Sequence, residues 1–184
     1  MSNLTDFFPS GGGGGLTPKF EEFNASGTFT PTQALIDAGG YIEVFLVGGG
    51  GTTNSGSDGA CGGEVLIKKM YLTSVSGVAV TIGAGATSTL GGDTSFAGSS
   101  AGGYNLTSLG GYSNGNQQYR LGAGWGGEDS SNSMTAGNGV LGYGAGAGGG
   151  YRGGGVYTPK PNSGQGSFAS QMGGSGYCLI KWYE

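Results

Sequence analysis

Hydrophobic residues gather into a few short runs, and glycine breaks each of them off. The clearest is Tyr41-Ile-Glu-Val-Phe-Leu-Val47, bounded by Gly39-Gly40 and by Gly48–Gly51. β-Branched and aromatic residues dominate it, which favours a strand. On a strand, Ile42, Val44 and Leu46 fall on one face, and Tyr41, Glu43, Phe45 and Val47 on the other. Glu64–Met70 reads as a second strand, and Val78–Ile82 as a third that stops at Gly83. Phe29-Thr30, before Pro31, reads as a short one. Gly176–Tyr183 forms the last, with Cys178, Ile180 and Trp182 alternating against Tyr177, Leu179, Lys181 and Tyr183. No segment sustains a helical period, so almost no α-helix is expected. The pattern predicts an all-β chain with a small antiparallel sheet or sandwich, and the glycines flanking the strands read as turns.

From about Gly91 to Gly176 the pattern changes. Apolar residues become single and glycine recurs every one to three positions, as in Gly137–Gly150. Helix and ordinary strand are both unfavourable for such a run. A polyproline-II-like conformation suits it, because glycine lets neighbouring backbones approach until their N–H and C=O groups pair. Residues 95–175 are therefore read as glycine-rich loops or polyglycine-II-like helices. The glycine spacing is not strictly three, which excludes a collagen triple helix.

Composition sharpens this picture. Glycine supplies 47 of 184 residues, several times its usual share. Leu, Ile, Val and Phe together number 33, so the apolar core is thin, yet ten tyrosines and a net charge of only −4 do not suit a disordered chain. Ordered glycine loses more backbone entropy than any other residue. Close packing, dense hydrogen bonding or oligomerisation has to offset that loss. Seven Lys and Arg, mostly isolated, cannot track a phosphate backbone, so nucleic acid is not an expected partner. No apolar stretch reaches the length of a membrane span, and no membrane insertion is expected.

Residues 1–18 read as a separate arm. Leu4, Phe7, Phe8 and Pro9 make a sticky aromatic peptide, and Gly11–Gly15 tether it to residues 19–184. A peptide of this kind on a flexible tether suggests docking onto another protein.

The chemistry of catalysis is missing. The chain has no histidine, and thus lacks the commonest general base and metal ligand. Gly98–Gly102 and Gly111–Gly115 match a nucleophile elbow formally, and Gly122–Gly127 matches a dinucleotide fingerprint. In a glycine-rich chain without the strand–turn–helix context these are chance hits. Asp58, Glu128 and Asp129 read as solvated turn residues. No enzyme, cofactor or metal site is expected. What remains is recognition: tyrosine, tryptophan, asparagine, serine and glycine are the materials of adaptable binding loops. Tyr119, Arg120, Trp125, Tyr143, Tyr151 and Arg152 are the candidates for contacting a carbohydrate or a protein.

The order of these features resembles the glycine-rich domain of bacteriophage tail-fibre and related virion proteins. The resemblance rests on Phe29-Thr30, Tyr41–Gly51, Ala60–Glu64, Val80–Gly85, Gly91–Phe96 and Gly176–Trp182, and covers about residues 20–184. It implies a small β-structure carrying glycine helices, a homotrimer, and a place at the periphery of a virion made in the bacterial cytoplasm. Its implied partners are other virion proteins of the tail, baseplate, collar or head, and a glycan or outer-membrane protein on the host surface. The chain is short and has no long fibre shaft, which leaves room for a small fibre or spike. The alternative reading is an ice-binding or other non-viral glycine-rich structural protein. An ice-binding face would want small residues at a strict period of three, which this chain lacks.

Overall fold

A computed structural model describes residues 15–52, 60–88, 90–98, 101, 105–112, 161–167 and 171–184. Eight strands and one short helix follow one another: β1 (Pro18–Phe23), β2 (Gly27–Phe29), α1 (Gln33–Asp37), β3 (Tyr41–Val47), β4 (Val65–Tyr71), β5 (Val78–Thr81), β6 (Thr94–Ala97), β7 (Leu106–Ser108) and β8 (Tyr177–Tyr183). They form two four-stranded sheets, ordered β1-β8-β3-β4 and β2-β5-β6-β7, with every pairing antiparallel. The all-β expectation holds.

The alternation read along β3 and β8 decides which side of the first sheet faces inward. Ile42, Val44, Leu46, Cys178, Ile180 and Trp182 join Phe29, Val78, Val80 and Phe96 of the second sheet in one buried cluster. The Phe29 ring meets Trp182 edge-on at 5.3 Å between centroids and lies 6.2 Å from Phe96. Phe45, Val47, Val65 and Tyr177 point the other way and form a second, smaller cluster on the outer face. Cys61 and Cys178 are both buried, and neither forms a disulfide. Burial, helped by the nearby Glu21 carboxylate, pushes the Cys178 thiol up to about 12. That sulfur is a small core hydrophobe at neutral pH.

Helix α1 is brief because both of its ends are fixed. Thr32 caps it by accepting a hydrogen bond from the Leu35 N–H at 3.0 Å, and Leu35 is fully buried. It stops at Gly39 and Gly40, whose φ angles of 102° and 71° suit glycine. At Gly40 a Cβ would lie 2.0 Å from the Leu72 carbonyl oxygen, so the helix exit and the β4 exit are pressed together. This pair does make the turn that the sequence suggests.

Three strands lie where none was expected. β1 begins at Pro18, the residue read as the end of the linker, and Thr17 already exchanges backbone hydrogen bonds with Glu184 at 2.6 and 3.1 Å. Lys19 lies 3.8 Å from the Glu184 carboxylate. Hydrogen bonds from the Thr32 hydroxyl and Trp182 Nε1 hold that carboxyl below the usual range. β6 and β7 arise in the glycine-rich stretch, where single buried residues (Thr94, Phe96, Leu106, Ser108) suffice once a neighbouring strand offers partners.

Candidate functional site

Strands β3 to β8 all meet glycine-rich segments at the same end of the two sheets. The registers require it: Val47 is level with Val65 and Tyr177 in one sheet, and Thr81 with Ser95 and Thr94 with Ser108 in the other. Beyond that end the described residues continue as seven extended segments: 48–52, 60–64, 83–86, 90–92, 109–112, 164–167 and 171–176.

Segment 48–52 runs through the middle. Its successive N–H groups donate to three different neighbours: Gly49 to Gly92 O at 2.9 Å, Gly50 to Gly174 O at 2.8 Å, and Gly51 to Cys61 O at 3.0 Å. Its carbonyls accept from three others: Gly111 N–H on Gly49 O, Ala86 N–H on Gly50 O and Ser167 N–H on Gly51 O, at 2.8, 2.8 and 2.9 Å. A backbone with three residues per turn aims each N–H a third of a turn from the last, which is the polyproline-II repeat. Three residues address six neighbours here, the bonding pattern that such a repeat would give.

The six outer segments are bonded to one another in turn. Cys61 donates to Tyr112 O, Gly91 to Gly111 O, Gly92 to Ala84 O, Gly173 to Ala86 O, Gly174 to Gln165 O, and Gly63 to Gly164 O, all between 2.8 and 3.0 Å. The ring therefore closes around the central segment. Side chains have no room inside it: a Cβ on Gly50 would sit 1.8 Å from Gln165 O, and one on Gly91 2.0 Å from Gly49 O.

This arrangement corrects the reading of the strand-flanking glycines as turns. Gly48–Gly51, Gly62-Gly63 and Gly83 are not turns; they carry their strands onward into the glycine array. Local sequence could not show this, because a glycine that turns and a glycine that admits a neighbouring backbone look alike.

At the sheet end, side chains replace backbone partners that the array no longer supplies. Asp93 Oδ1 accepts from Gly110 N–H at 2.8 Å, Glu64 Oε2 from Leu109 N–H at 2.9 Å, and Thr94 Oγ1 from Gly83 N–H at 2.9 Å. Asp93→Ala leaves the buried Gly110 N–H without its acceptor. A loss of about 1–3 kcal/mol is expected in urea unfolding. Asp93→Asn, which keeps an oxygen there, should lose less.

At the outer end, the buried Thr52 and Ser167 hydroxyls both donate to the Gln171 carbonyl. The chain leaves this end after Thr52, Ala86, Tyr112 and Ser167. Two large apolar residues, Leu90 and Met172, stand exposed beside it. Sequence reasoning missed both, since each is a single hydrophobe among glycines and serines. After Tyr112 the chain is next described at Pro161, and Gly164 is already back at the sheet end against Gly48 and Val47. Tyr119, Arg120, Trp125, Tyr143, Tyr151 and Arg152 all lie between these points, outside the described residues. Leu4, Phe7, Phe8 and Pro9 of the arm also lie outside the described residues. Among the described residues, no three or more His, Cys, Asp or Glu are grouped to hold a metal ion, and no helix is long and apolar enough to cross a membrane.

The arrangement can present loops from a hydrogen-bonded block. No protein-family model matches the chain, and a comparison with curated proteins finds no match either.

Proposed function

We propose that this chain is a structural and attachment protein of a bacteriophage virion, a small fibre or spike. Residues 1–18 dock onto the particle, and the glycine-rich part faces outward to meet the host surface. The observation that carries the reading is the polarity of the fold. The chain enters at Pro18, level with Tyr183 at one end of the first sheet, and the segment holding the Tyr/Trp/Arg candidates departs from the opposite end of the glycine array. Seven-residue strands at ~3.3 Å per residue plus about four array residues at ~3.1 Å separate the two ends by roughly 35 Å. An arm entering at Pro18 and a segment departing after Tyr112 therefore start well apart.

The build of the array supports the same reading. Binding residues are commonly carried on loops that a rigid scaffold positions. An array whose central segment bonds six neighbours is such a scaffold, and its outer end releases four connections side by side. The motif resemblance to the glycine-rich domain of phage fibre proteins adds the setting.

Two measurements test it. Deleting residues 1–15 should leave a folded protein that no longer enters virions; normal incorporation would sink the docking role. Purified protein should bind susceptible cells, and Trp125→Ala or Tyr151→Ala should weaken that binding by about 2 kcal/mol, roughly thirty-fold. A well-folded protein that binds no cell would leave the structural role alone. Thermal hysteresis in the same sample would instead favour the ice-binding alternative.

A further inference from the structure

We propose that copies of this chain associate head to tail, the β1 edge of one against the β4 edge of the next, closing a ring whose axis runs along the strands. The starting point is the outer face of the first sheet. Its register sets Phe20, Lys181, Glu43 and Lys69 in one cross-strand row, and Glu22, Leu179, Phe45 and Ile67 in the next. Near the array this face is closed by Phe45, Val47, Val65 and Tyr177, all buried. Toward the arm it is open: Phe20 is 69% exposed, Tyr71 64%, Ile67 47% and Tyr183 42%. Single exposed hydrophobes are ordinary on a protein surface. Here three of the four sit on the two edge strands, one on β1 and two on β4.

Edge strands invite further pairing, and the charge on each edge selects its partner. β1 carries Glu22 exposed beside Glu21, while its Lys19 is matched by Glu184. β4 carries Lys68 and Lys69, both exposed, and Lys69 keeps most of its side chain in solvent although it lies 4.0 Å from Glu43. A β4–β4 contact would set lysines against lysines, and a β1–β1 contact would set glutamates against glutamates. The β1–β4 contact pairs opposite signs. With the rows kept level, Phe20 of one copy lies diagonal to Tyr71 and Ile67 of the next, and Glu22 lies diagonal to Lys69, within reach for long side chains.

Strand direction agrees. Each pairing in the sheet is antiparallel, so β1 runs with β3 and against β4. Rotating a copy about an axis along the strands brings its β1 antiparallel to the first copy's β4, and the alternation continues. Contacts between two different patches generate a ring when the rotation closes. The same rotation gathers every Pro18 end on one side and every outer array end on the other. The choice of axis, though not the contact, rests on the attachment reading above. The contact also adds apolar burial, of Phe20 on β1 and of Ile67 and Tyr71 on β4, to a chain whose own core is thin.

Light scattering and sedimentation on the full chain, from micromolar to millimolar, test the contact. The wild type should form one closed oligomer. Phe20→Ser, at a position exposed in the single chain, should leave its unfolding curve unchanged and raise the half-assembly concentration about thirty-fold. Glu22→Lys should raise it about ten-fold. Adding Lys69→Glu to Glu22→Lys should recover most of that loss. A monomer at every concentration overturns the proposal. So does an oligomer indifferent to Phe20→Ser and Glu22→Lys, or a double variant no better than Glu22→Lys alone. A monomer that still enters virions through its arm sinks only the contact; an oligomer that never enters them sinks the attachment reading.

Discussion

Gly50→Ala is expected to abolish the fold, although it adds only one methyl group. The new Cβ would lie 1.8 Å from the Gln165 carbonyl oxygen and 2.3 Å from its carbon. Both are backbone atoms, and segment 164–167 is itself held by hydrogen bonds to 60–64 and 171–176, so it cannot step aside alone. Moving it would also break the bond from Ser167 to Gly51 and those from Gly63 to Gly164 and from Gly174 to Gln165. A loss beyond about 4 kcal/mol follows, in the range that only overpacking and broken buried networks reach. Stabilities of about 5–15 kcal/mol are usual, and from the low end of that range, where a chain with so thin a core belongs, such a loss leaves little folded protein at body temperature. The check is soluble yield and thermal unfolding beside Gly15→Ala, where a Cβ meets nothing within 4 Å. That control should change stability by about 0.5 kcal/mol or less. A Gly50→Ala protein that unfolds like the control would mean that the central segment is not packed as described.

Phe29→Ala is the second large effect, and it acts on the sandwich. Phe29 is 1% exposed on the short strand β2, with Trp182 of the opposite sheet edge-on to its ring and Phe96 beside it. Truncation removes the ring that joins the two sheets and leaves a cavity between them. A cost of about 3–5 kcal/mol is expected, read from denaturant unfolding. Phe20, 69% exposed on β1, provides the contrast, since its truncation in the single chain should cost a few tenths at most. Strands β3 to β8 run directly into the array, so sandwich and array should melt together. Far-UV signal and tyrosine fluorescence of the Phe29→Ala protein should fall in one coincident transition. Two separated transitions would show that the array stands without the sandwich.

Residue order alone determined the strands that bury a full hydrophobic face. β3, β8 and most of β4 and β5 were legible because period-two alternation is a local property, and their inward residues are those the alternation selects. The near absence of helix was legible for the same reason. The sites proposed for recognition, from Tyr119 to Arg152, rest on residue type alone, and they lie outside the described residues. Tertiary structure alone decided the rest. β6 and β7 hold too few apolar residues to announce themselves, and they become strands because β5 offers an edge. Leu90 and Met172 acquire meaning only from the end of the array at which they stand. The glycines are the sharpest case. Gly39-Gly40 turns the chain and Gly48–Gly51 threads the centre of a seven-segment array, yet both are simply glycines beside β3. A side chain announces its environment through polarity and size, whereas glycine has no side chain to do so. Its role is set by which backbone lies within hydrogen-bonding distance, and segments as remote in sequence as 60–64 and 171–176 supply that backbone.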